Sequence, residues 1–157
     1  MRPLPPRVRV VVVTTKAAFT EEEWDLVLTG PPMAGMVVAM ADHGGMMRET
    51  FAIAKAYGEA RKEHGKSELL DEIVTTKPER DHTRFHSYDE MKRHGVQVLQ
   101  DAVATLDGKA TSDEVEDYRR FVLTLARRVA ERHSEHGQQI SPNEQAALDD
   151  LEAALRA

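Results

Sequence analysis

The chain reads as all-α. Three observations predict this class: four helix-start signals, apolar residues recurring at three- and four-residue spacing, and no period-two alternation beyond the first sixteen residues. The 157 residues suffice for one domain with its own core, and 41% hydrophobic with 31% charged residues suits a folded, well-solvated protein. The expected architecture is a compact bundle of about seven helices preceded by an extended N-terminal arm. The arm spans residues 1–16 and the single helical domain residues 17–157.

The arm carries Pro3, Pro5 and Pro6, which oppose a helix, followed by the β-branched run Val8 to Thr15, which favours extended backbone. Such an arm either lies across the helices or pairs with a second copy of the chain in a homodimer. Its longest apolar run, Val10 to Val13, is too short for a signal-peptide core or a membrane span, which makes cytoplasmic the expected location.

In a capping box, a Ser or Thr oxygen accepts a free backbone N–H and a Glu three residues on reaches back. Thr20/Glu23, Ser87/Glu90, Thr111/Glu114 and Ser141/Glu144 have this form, the last with Pro142 at the first helical position. The first box opens a short helix, Glu21 to Leu28, bearing Trp24 and ended by Gly30-Pro31-Pro32. Met33 to Ala41 is apolar all round, so it should be the most buried segment. Met46 to His64 follows, with Met47, Phe51, Ala54, Tyr57 and Ala60 inward and Gly65 as a stop. Ser67 caps Glu68 to Thr76, which Pro78 halts.

The Ser87 helix carries Tyr88, Met91, Val98, Ala102 and Leu106, with Gly95 in the same stripe. A glycine there costs about 1 kcal/mol against alanine unless a neighbouring helix packs close at that point. From Asp113 onward, Val115, Tyr118, Val122, Leu125 and Val129 form a long inward stripe, and Leu148, Leu151 and Leu155 repeat it in the last helix.

Charge and cysteine content exclude several functions. With 21 basic and 27 acidic residues the formal charge is −6, which gives no global drive towards nucleic acid. Arg119, Arg120, Arg127, Arg128 and Arg132 are interleaved with acids and read as a solvated helix face. The absence of cysteine rules out disulfides, thiolate chemistry and cysteine-ligated metals. No P-loop, dinucleotide fingerprint or nucleophile elbow occurs.

Two helix junctions share a pattern. Ala39 to Glu49 and Ala104 to Glu114 each run from an apolar helix end into an Asp, then a glycine within two residues, then a Glu seven residues after the Asp. The physical expectation is a tight corner, with glycine left-handed and Asp capping free amides. The pattern resembles the TerB-like family, an all-helical bacterial fold whose helix pairs join through a D-G-x-(I/V)-x-x-x-E loop. Asp107, Gly108 and Glu114 match it position for position, whereas the first junction has His43 in place of the glycine. Ile140 to Glu144 looks like a fragment of the same kind without its Asp-Gly. The resemblance implies a non-catalytic stress-response or membrane-associated scaffold, and a protein partner or a homodimer is a separate expectation for such a domain. The resemblance further implies a divalent cation at Asp42, Glu49, Asp107 and Glu114, although neither loop has the alternating carboxylates of an EF-hand.

An alternative reading uses the seven histidines. His82 and His86 stand four apart, and His133 and His136 three apart at a helix end. His82, His86 and His133, with Asp81 or Glu131 as an oxygen donor, would make a metal-dependent helical enzyme or a metal carrier. Five of the seven methionines fall between Met33 and Met47, which suits core packing or a groove for a partner helix.

Overall fold

The computed structural model describes residues 14–41, 68–76, 85–133 and 140–156, with the isolated positions 55, 58 and 62. These residues are helical wherever they are regular, and no β-strand occurs among them. After a 3-10 turn at Lys16–Ala18 come α1 (Glu21–Ala39), α2 (Glu68–Thr75), α3 (Tyr88–Lys109), α4 (Ser112–His133) and α5 (Pro142–Arg156). Lys55, Gly58 and Lys62 are also helical, and the remainder of the expected Met46 to His64 helix lies outside the described residues.

The all-α class holds, but the count of seven helices does not. Glu21 to Leu28 and Met33 to Ala41, expected as two helices, are one continuous helix with Pro31 and Pro32 inside it. A proline in a helix interior costs about 3 kcal/mol because it removes an N–H and crowds the preceding turn. Pro31 deprives the Val27 carbonyl of its helical donor. The Tyr118 hydroxyl of α4 takes that place, donating to the Val27 oxygen at 2.8 Å within the core. Gly30 makes room for it, since a Cβ there would stand 2.2 Å from the Tyr118 oxygen. Gly30 and Pro31 are therefore matched to a partner on another helix.

α1 is the central element, packed mainly against α3 and α4, with α5 across α3, α4 and α1, and α2 against α4. Met33, Ala34, Val37, Val38 and Ala39 are buried, as expected for this segment, but Met36 is 37% exposed, so Met33 to Ala41 is not buried all round. Gly95 of α3 lies against it, where a Cβ would meet Val37 Cγ2 at 2.8 Å. That close approach explains the glycine. Tyr88 donates to the Val37 carbonyl at 2.9 Å, near the carboxyl end of α1 where helix carbonyls lack intrahelical donors. The stripe Val115, Tyr118, Val122, Leu125 and Val129 is buried, as are Leu148, Leu151 and Leu155.

Three of the four capping boxes are reciprocal: Thr20 with Glu23, Thr111 with Glu114, and Ser141 with Glu144. At α3, Ser87 accepts the Glu90 amide but Glu90 accepts from the His86 amide, so the return bond falls one residue earlier.

Candidate functional site

Asp107, Gly108 and Glu114 all belong to the α3–α4 corner. The sequence expectation for this corner needs correction. Asp107 and Gly108 lie in the last turn of α3, Gly108 is not left-handed, and the chain turns instead at Ala110, in extended backbone at φ −104° and ψ 166°. The physical reason is the capping box that follows. Thr111 must be non-helical to cap α4, so the break belongs immediately before it, and the Ala110 amide closes α3 onto the Leu106 carbonyl. Asp107 caps no amide of the corner; half-exposed, it stands 3.9 Å from the Arg119 guanidinium of α4.

Glu114 is the buried acid of the corner, 7% exposed. Its Oε1 accepts the Thr111 amide at 2.8 Å and the Thr14 hydroxyl at 2.6 Å, while Oε2 accepts the Thr14 amide at 3.1 Å. Burial alone pushes its carboxyl up. Hydrogen bonds from the Thr111 amide and from the Thr14 hydroxyl and amide outweigh that, leaving it below the usual carboxylate range.

Around Glu114 the end of the arm is fastened to the helices. The Thr14 hydroxyl also lies 3.4 Å from the Lys109 carbonyl, and the Lys16 amide donates to Glu72 of α2 at 3.0 Å. The Lys109 ammonium reaches the Ala18 carbonyl at 3.0 Å and Glu23 at 2.5 Å, and stands 5.7 Å from the centre of the Phe19 ring. That ammonium, together with the Thr20 amide, holds the Glu23 carboxyl below its ordinary value. Residues 14–16 of the arm thus lie across the helices, whereas residues 1–13 lie outside the described set.

At the α3–α4 corner a divalent cation would meet acids that already have partners. Such an ion needs several free oxygen ligands, but both Glu114 oxygens already face N–H or O–H donors and Asp107 faces Arg119. No group of three His, Asp or Glu among the described residues is placed to hold a metal. Asp42 and Glu49, the corresponding acids of the first corner, lie outside the described residues, as does His82. His86 is exposed and passes its backbone amide to Glu90, and of His133 only the helical backbone is described.

Arg119 shows that the basic stretch is more than a solvated face. It is mostly buried, and its Nε donates to the Leu155 carbonyl of α5 at 2.7 Å, a cation at a helix carboxyl end. Arg120 is exposed and 3.6 Å from Asp117, as charge interleaving leads one to expect.

Sequence reasoning missed Thr14, Lys109 and Glu72 as members of this cluster. Their separations from their partners, up to 100 residues, leave no local signal. Comparisons with protein-family models, with curated proteins and with solved structures find no match. No helix among the described residues is long and apolar enough to cross a membrane.

Proposed function

We propose that this chain is a non-enzymatic helical interaction domain. The observation that carries this reading is the use made of the buried polar groups. Among the described residues these are Thr14, Glu114 and Glu144, and each serves a helix cap or the fastening of the arm. Catalysis of acid–base or metal type needs convergent titratable groups aimed into a cavity, with capacity to spare. The described corner spends that capacity on structure. The full match to the TerB-like loop is confined to Asp107, Gly108 and Glu114, and the interaction reading does not require it.

Equilibrium dialysis of the purified full chain against Ca²⁺, Mg²⁺, Mn²⁺ and Zn²⁺ tests this. The expected result is no stoichiometric uptake that Asp107→Asn or Glu114→Gln abolishes. Stoichiometric Zn²⁺ or Mn²⁺ uptake abolished by His86→Ala would overturn it in favour of the histidine-based metalloprotein.

A further inference from the structure

Thr14 to Phe19 form a strap over one end of the helices, held by groups far away in sequence: Glu114 on Thr14, Glu72 on Lys16 and Lys109 on Ala18. Between the buried ends Thr14 and Phe19, the residues Thr15, Lys16, Ala17 and Ala18 are all exposed. A segment with so few buried apolar contacts belongs to the low end of local stability. Strap residues also line an open groove of about 590 Å³, together with Thr20, Glu21, Trp24 and Glu72.

A second observation points the same way. Trp24 is 3% exposed, its ring centre 5.7 Å from that of Phe19, and its Nε1 hydrogen has no acceptor among the described residues. A buried, unpaired donor disfavours the closed arrangement relative to one in which water reaches it. The closed strap is thus opposed by the Trp24 donor and held by the buried Phe19 ring at one end and by hydrogen bonds to charged groups along the rest. Two of these, including the shortest, converge on Glu114, where one residue, Thr14, supplies both its amide and its hydroxyl.

We propose that Thr14 to Phe19 open as one unit while the helices stay folded, with Glu114 as the catch, and that opening uncovers the Trp24 indole. The corner acid is then a fastener for the chain's own arm. This stands independently of the interaction reading, because it concerns only the fastening of the strap.

The test uses the full chain. Amide hydrogen exchange of Thr14 and Lys16 is measured by NMR, acrylamide quenching reports on Trp24, the single tryptophan, and far-UV circular dichroism follows the helices. In the unaltered chain both strap amides should exchange faster than α4 core amides such as that of Leu125. Thr14→Val leaves the Thr111/Glu114 box intact and removes one hydrogen bond to a carboxylate. It should speed Lys16 exchange about tenfold, the equivalent of about 1.4 kcal/mol, and raise Trp24 quenching with helicity unchanged. Glu114→Gln should do the same with an added loss at the α4 cap.

Strap amides as slow as the α4 core would overturn the proposal. So would a Thr14→Val variant with unaltered Lys16 exchange and Trp24 quenching, or one whose helicity falls together with strap protection.

Discussion

Replacing Tyr118 by Phe removes a single oxygen from the middle of the core, and its effect should depend on a proline in another helix. The hydroxyl donates to the Val27 carbonyl, whose ordinary donor, the amide of residue 31, does not exist because that residue is proline. Val27 is wholly buried, so water cannot replace the lost donor. An unpaired buried carbonyl costs about 1–3 kcal/mol. With a urea dependence of about 1–3 kcal/mol per molar, a loss near 2 kcal/mol lowers the unfolding midpoint by about 1 M. Pro31→Ala restores the helical N–H, so in that background Tyr118→Phe should cost no more than about 0.5–1 kcal/mol, the ordinary net value of a hydrogen bond. The cycle therefore carries a coupling energy of about 1–2 kcal/mol, measured by urea unfolding followed through circular dichroism. Equal costs of Tyr118→Phe in the two backgrounds would refute the reasoning, because the hydroxyl would then not be standing in for the missing amide.

Gly30→Ala should destabilise by about 1–3 kcal/mol through overpacking against the Tyr118 hydroxyl, and far less in the Tyr118→Phe background; thermal unfolding of the two single variants and the double variant decides. Gly108→Ala meets open space in a helical turn and should stabilise by about 0.5–1 kcal/mol; a loss on denaturant unfolding would restore the left-handed corner that α3 contradicts. Glu114, held below its unfolded range of about 4.3, contributes stability that is fully present above that value and is lost as pH falls through the lower folded one. Glu114→Gln should thus flatten the acid limb of stability against pH, and an unchanged limb would remove Glu114 from the account. Ser141→Ala should cost about 1 kcal/mol by loss of the α5 cap, readable as a lowered melting temperature.

The helix starts were legible because capping is local chemistry: Thr20, Thr111 and Ser141 meet their partners three residues on, whatever the rest of the fold does. The inward stripes of α3, α4 and α5 were legible for a similar reason, since period alone determines which residues share a face. Even the close contact at Gly95 could be anticipated, because a glycine in an apolar stripe has few other uses. The junction at Asp107-Gly108 misled, because a glycine after an apolar helix end reads as a stop while the cap at Thr111 sets the actual break. Among the candidate acids, Glu114 was recognised as a cap, yet nothing near it announced that Thr14 would donate to both of its oxygens.

Local sequence, then, determined helix class, the capped helix starts and the core-facing residues of α3, α4 and α5, because these depend on interactions spanning a few positions. Tertiary structure decided that Gly30-Pro31-Pro32 runs through a helix, and that an acidic corner fastens the arm. Each outcome depends on a donor supplied by a residue about a hundred positions away or nearly so, Tyr118 for Val27 and Thr14 for Glu114. A backbone carbonyl or a carboxylate in the core must find its hydrogen-bond donors wherever the fold presents them, and that is settled only when the helices pack.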